Sequence, residues 1–145
     1  MLVYKSKLRK QGVDDMAFIK AEDVKAIREE LKATFPKFKF GVRKRDFSSV
    51  TVTVKAGPTD FSDVMRNPED GHTSVNQYHT HMYGEHKGFF DKMYEIIKTA
   101  PIKGEGYWAK KGWYDNSDSM TDYFDTAYYI SMEVGSWNKP YVQTA

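Results

Sequence analysis

Residues 35–59 read FPKFKFGVRKRDFSSVTVTVKAGPT. Phe38, Phe40 and Val42 alternate with Lys37, Lys39, Gly41 and Arg43, and Val50, Val52 and Val54 alternate with Thr51, Thr53 and Lys55. Successive side chains of a strand point to opposite faces, so this period of two predicts a β-hairpin over 37–55. One face is apolar and one is basic. Asp46–Ser49 supplies the turn, and Gly57-Pro58 ends the second strand.

On the N-terminal side, Val24, Ile27, Leu31 and Phe35 recur at helical spacing, which predicts a helix over 21–35. Pro36 stops it, because a proline pushes the preceding residue out of the α region. On the C-terminal side, Phe89, Phe90, Met93, Ile96 and Ile97 form a wide apolar stripe. They predict a second helix over 88–99, ended ahead of Pro101. Tyr128, Ile130, Met132 and Val134 alternate as a strand over 127–134, stopped by Gly135. The expected fold is α+β: a small antiparallel sheet, hairpin 37–55 plus strand 127–134, packed against the helices 21–35 and 88–99.

The remaining segments are less regular. Asn67-Pro68 and Asp70-Gly71 signal loops in a His-rich stretch, about 60–86, within which Ser74–Met82 is read as an extended piece. Leu2, Tyr4 and Leu8 suit a short edge strand, and Ser117 or Asp118 suits the cap of a short helix running to about Phe124. One domain over 1–145 is expected, with 60–86 as a loop insertion.

Composition removes several function classes. The chain has 145 residues, 40% hydrophobic, with no cysteine. It has no disulfide framework, thiolate nucleophile or cysteine zinc site. No apolar run approaches the ~20 residues that span a bilayer, and MLVYKSKLRKQG lacks the apolar core of a signal peptide. The expected location is a reducing cytoplasm, without a membrane partner. The net charge of +2 hides a split. Residues 1–55 carry fourteen Lys/Arg against seven Asp/Glu, and 56–145 carry eight against thirteen. A basic and an acidic surface on one molecule are implied, or two halves that neutralise each other.

Three groups of residues carry possible chemistry. The first is the hairpin's polar face, where Lys37, Lys39, Arg43, Arg45 and Lys55 lie beside Thr51 and Thr53. Cations and hydroxyls on a sheet suit phosphate, so nucleic acid is a candidate partner beside an acidic protein. The stacking aromatics of an RNA-recognition sheet are missing from this face, and a solvated sheet face is the plain alternative. The second group is His72, His79, His81 and His86. His79 and His81 would share a face of a strand, with Glu69, Asp70 and Glu85 as oxygen donors, in a site for zinc or iron. The same histidines also suit a polar loop, and no cofactor is required by any motif. The third group is the aromatic tail, with Trp108, Trp113, Tyr114 and Trp137 beside Lys110, Lys111 and Lys139, suited to binding or to core filling. Asp115, Asp118, Asp122 and Asp125 follow as an acidic run. The order helix–strand–strand–helix–helix–strand matches the bacterial type of KH domain, but Gly104-Glu105-Gly106 lacks the GxxG spacing that grips a nucleic-acid backbone.

Phe35-Pro36, Lys39-Phe40, Val42-Arg43, the β-branched run up to Gly57-Pro58-Thr59, and Phe90-Asp91 with Met93 together resemble the large polyvalent-protein-associated domain family numbered twenty-nine. The resemblance covers roughly 20–98. It implies a protein of phages or conjugative elements and assigns no catalytic residue. The family tends to have Ser at the position of Gly41, and an Asp where this chain has Ala56. The aromatic tail from Tyr107 resembles proteins of large tailed phages. The function expected is a non-catalytic accessory module that binds a host or viral macromolecule, counter-defence among its possible roles. The alternatives are a small metal-dependent enzyme using His72–His86 and a self-associating virion component, and the oligomeric state stays open.

Overall fold

The computed structural model describes residues 17–115 and 126–144. The expected edge strand at Leu2–Leu8, the short helix near 118–124, and Asp118, Asp122 and Asp125 lie outside these residues.

Helix α1 spans Ala21–Thr34. It buries Val24, Ile27 and Leu31, and it starts where the Lys20 backbone N–H donates to the Asp23 carboxylate at 3.0 Å. Strands β1 (Lys39–Lys44) and β2 (Ser49–Gly57) form the antiparallel hairpin. At its turn the Ser48 N–H donates to Asp46 at 2.8 Å, which holds the Asp46 carboxyl below its ordinary range. After two short 3₁₀ turns come strand β3 (Thr73–Val75), a 3₁₀ segment at Thr80–His86, helix α2 (Lys87–Lys103), helix α3 (Tyr107–Lys111) and strands β4 (Tyr129–Val134) and β5 (Val142–Gln143).

The arrangement is α+β, and the described residues form three helices and a five-stranded sheet. The sheet order is β1-β2-β4-β3, with β5 continuing beside the end of β2. Contrary to the antiparallel sheet expected, the sheet is mixed: β4 runs parallel to β2, with Val52 opposite Met132. The connection explains the direction. Between β2 and β4 the chain crosses over through α2 and α3, and a helical crossover returns it to the end from which it started. The stretch expected as a His-rich loop supplies β3, which pairs antiparallel with β4 at the far edge.

The core lies between one sheet face and the helices. Val42, Val50, Val52, Val54, Met132 and Val134 meet Ile27 and Leu31 of α1 and Phe90, Met93, Ile96 and Ile97 of α2. Phe35, Phe38, Phe40 and Phe89 close one end as a ring cluster. Gly57 is required there, because a Cβ at this position would enter the Phe38 ring.

Helix α2 does not stop ahead of Pro101 but continues to Lys103. A proline inside a helix cannot donate to the carbonyl four residues back. That carbonyl, of Ile97, accepts instead from the Tyr128 hydroxyl at 2.5 Å. The Tyr128 ring is buried, and burial raises the pKa of its hydroxyl. Asp91, in the Phe90-Asp91 pair, accepts from the Thr80 hydroxyl at 2.6 Å and from Lys87 at 2.6 Å. It ties the 3₁₀ segment to the first turn of α2.

Candidate functional site: a basic cleft on the open sheet face

The face of the sheet away from the helices carries Lys39, Gly41 and Arg43 of β1, Thr51, Thr53 and Lys55 of β2, and Ser131 and Glu133 of β4. The pairing shifts by one residue between Lys39 and Phe40, so that Lys39 faces Ala56 and Phe40 faces Val54. Such a bulge re-aims side chains. Lys55 and Ala56 both line the same cleft, although strict alternation sends Ala56 to the opposite face from Lys55. Gly41 gives the Lys55 stem its path, since a Cβ there would lie 2.6 Å from Lys55 Cε.

The cleft has a volume of about 680 Å³. Its cations are Lys39, Arg43, Lys55 and Lys139, and its neutral donors are Thr53, Ser136 and Asn138. Glu133 borders it, accepting from Thr53 Oγ1 at 2.5 Å and standing 4.0 Å from the Arg43 guanidinium. Arg43 remains 63% exposed, so this ion pair leaves the guanidinium open to another anion. On this same sheet face Thr51 and Thr53 are each 4% exposed; Thr53 lines the cleft, and Thr51, which does not, has an Oγ1 with no hydrogen-bond partner.

The cleft wall at Ser136–Lys139 is a tight turn. Ser136 N donates to Lys139 O at 2.9 Å, and Lys139 N donates to Ser136 O at 3.1 Å. The turn is anchored by Gly135, at φ +65°, whose N–H donates to Val54 O at 2.9 Å. A Cβ at Gly135 would run into the Gly71 carbonyl. That carbonyl accepts from Tyr141 N at 2.8 Å. Trp137, at the head of this turn, is 83% exposed.

The expected residues divide as follows. Lys39, Arg43 and Lys55 converge on the cleft. Lys37, in the turn before β1, and Arg45, at the hairpin tip, do not line it. Trp108 is a core side chain at 2% exposure, its indole N–H donating to Phe18 O at 3.0 Å, and so it offers no binding surface. Trp113 packs half-buried on Trp108, Lys111 lies over the Tyr107 ring, and Lys110 is exposed on α3. None of these four lines the cleft. Lys139 and Ser136 join the hairpin only in three dimensions. Nothing in the local sequence pairs them with Lys39, although Gly135, a left-handed glycine ahead of Ser-Trp-Asn-Lys, signals the turn.

The histidines do not form the expected constellation. Residues 74–82 are not one extended strand, so His79 and His81 do not share a strand face; their rings stand 5.8 Å apart, edge to face. Among the described residues the metal-compatible grouping is Asp63, Glu85 and His86, with donor atoms within 4.8 Å of one another. His86 is buried against Phe61, its Nε2 2.9 Å from Asp63. His72, His79 and His81 are outside that group. The Gly104–Gly106 link packs on α1, where a Cβ at Gly106 would meet Glu22 and Asp23. It presents no free backbone loop of the kind a KH domain uses.

Fold and cleft define a small α+β protein with a cationic cleft on its sheet face. The chain belongs to the large polyvalent protein associated domain 29 family, which matches residues 19–138. It is thereby a protein associated with phages or mobile elements. Comparison with curated proteins and with solved structures returns no match. Among the described residues no helix is long and apolar enough to cross a membrane.

Proposed function

We propose that this protein is a non-catalytic binding module that engages an anionic segment of a host or viral macromolecule through the cleft between the hairpin and the Ser136–Lys139 turn. The observation that carries the reading is the convergence of Lys39, Arg43, Lys55 and Lys139, from three separate chain segments, around hydroxyl and amide donors. Like charges brought together on one rigid surface repel, and an anion relieves that repulsion. In the phage setting the macromolecule belongs to the host cytoplasm or to the element itself, and interference with a host process, counter-defence included, fits such a module. The test is the double reversal Lys39→Glu/Arg43→Glu, with heparin as a generic polyanion. Salt-sensitive binding by the parent chain and none by the correctly folded variant is expected. Equal binding by both removes the cleft from the account.

A second reading has one specific observation behind it, the convergence of His86, Asp63 and Glu85. A cation held there would use one imidazole nitrogen and two carboxylates, with open positions left for substrate. Calorimetric titration with zinc or ferrous iron tests it: stoichiometric uptake lost in His86→Ala supports this reading, and uptake unaffected by that change refutes it.

A further inference from the structure

Resting on the reading of the cleft as an anion site, we propose that its occupant is single-stranded nucleic acid, with the phosphodiester backbone along the cations and a base stacked on Trp137. The cleft volume of about 680 Å³ lies within the ~300–1,000 Å³ typical of pockets that hold small organic units. Its walls offer charged donors from Lys39, Arg43, Lys55 and Lys139, which meet phosphate oxygens, while the Thr53 hydroxyl is held by Glu133 and the Ser136 hydroxyl by Asn138.

Trp137 chooses among anionic polymers. It is 83% exposed, yet its backbone is fixed by the paired Ser136–Lys139 hydrogen bonds and by Gly135. A large ring presented in a fixed position contributes nothing to this chain's own core. Its immediate neighbours Ser136 and Asn138 both line the cleft, so its backbone belongs to the cleft wall, while the ring itself does not line the cleft. Bases carry π faces that stack on such a ring, whereas the carboxylates of an acidic peptide do not. Bases within a duplex are already stacked on each other, which makes the single strand the matching form. The hairpin face itself supplies no aromatic, and the stacking group comes from the turn 95 positions beyond Val42 in the chain.

The three tryptophans separate the experiment. Trp108 is buried and Trp113 half-buried, so quenching by a nucleic acid reports mainly on Trp137. The full chain is titrated at low and moderate salt with a thymidine 12-mer, a uridine 12-mer, a duplex of the same length and polyglutamate. Quenching of the parent chain by either 12-mer and weaker binding of the duplex are expected. Because the variants lack the reporting indole, their affinities are read from the anisotropy of a dye-labelled 12-mer, with a loss of about tenfold in Trp137→Ala and less in Trp137→Phe. Preference for the DNA or the RNA strand identifies the source, and either supports the proposal. If polyglutamate or the duplex binds as well as the strands, or Trp137→Ala binds unchanged while Lys39→Glu/Arg43→Glu does not bind, the single-strand inference is wrong and the anion cleft stands. If no polyanion binds, both fall.

Discussion

The two faces of strand β2 differ in more than polarity. On the helix side, Val50, Val52 and Val54 are fully buried, and the Tyr128 hydroxyl takes the Ile97 carbonyl that Pro101 leaves free. On the other side, Thr51 and Thr53 are almost as buried, but Thr51 Oγ1 has no partner and four cations gather beside the floor. One buried side-chain oxygen lacks a partner on each side, Asp23 Oδ1 on α1 and Thr51 Oγ1 on the sheet face, so it is the cations that set the second face apart. Folding does not account for four of them around one cleft, because clustered like charges cost stability. A face that is less satisfied than folding alone would leave it is where a partner has something to add.

The largest predicted effect comes from the turn that builds the cleft wall. Gly135→Ala places a Cβ against the Gly71 carbonyl in a left-handed conformation, and should cost about 3 kcal/mol in denaturant unfolding. Next is Tyr128→Phe, which leaves the buried Ile97 carbonyl unpaired and should cost about 2 kcal/mol. Its counterpart on the polar face is Thr51→Val. That hydroxyl is already unpaired, so its removal should leave the melting temperature unchanged or slightly raised. Equal losses for the two hydroxyls would erase the difference between the faces.

Asp23 gives a smaller, pH-dependent effect. Burial raises its carboxyl pKa above 3.8, outweighing the hydrogen bond from the Lys20 N–H, and its Oδ1 has no partner. Because the folded pKa is the higher one, the stability this group contributes is present below pH 3.8 and fades as pH rises through the folded value. Asp23→Asn should therefore gain stability relative to the parent at neutral pH and lose that advantage near pH 4, as followed by thermal melts at both pH values. An advantage that grows in acid would contradict the assignment.

The hairpin, α1 and most of α2 were legible from residue periodicity, because each buries one face at a fixed spacing. Strand direction was not: alternation in 127–134 is the same whichever way β4 runs, and the crossover sets it parallel. The passage of α2 through Pro101 depends on Tyr128, a partner 31 residues from Ile97 in sequence. Of the candidate site, Lys39, Arg43 and Lys55 were readable as one face. Trp137 and Lys139 were readable as part of the aromatic and cationic tail but not as neighbours of that face, and Ser136 was not readable at all, since β5 and the Gly71–Tyr141 hydrogen bond bring them in. The burial of Trp108 was equally hidden, because a Trp beside lysines reads the same in a core as at a surface.

The most direct test of the central claim is an NMR titration of isotope-labelled protein with the thymidine 12-mer, following backbone amides and the Trp indole N–H signals. The account predicts shifts confined to β1, the end of β2, the 135–142 segment and the Trp137 indole, with the Trp108 indole unmoved. Shifts centred on His86 and Asp63, or a strand that binds and leaves the Lys39, Arg43 and Lys139 amides untouched, would contradict it.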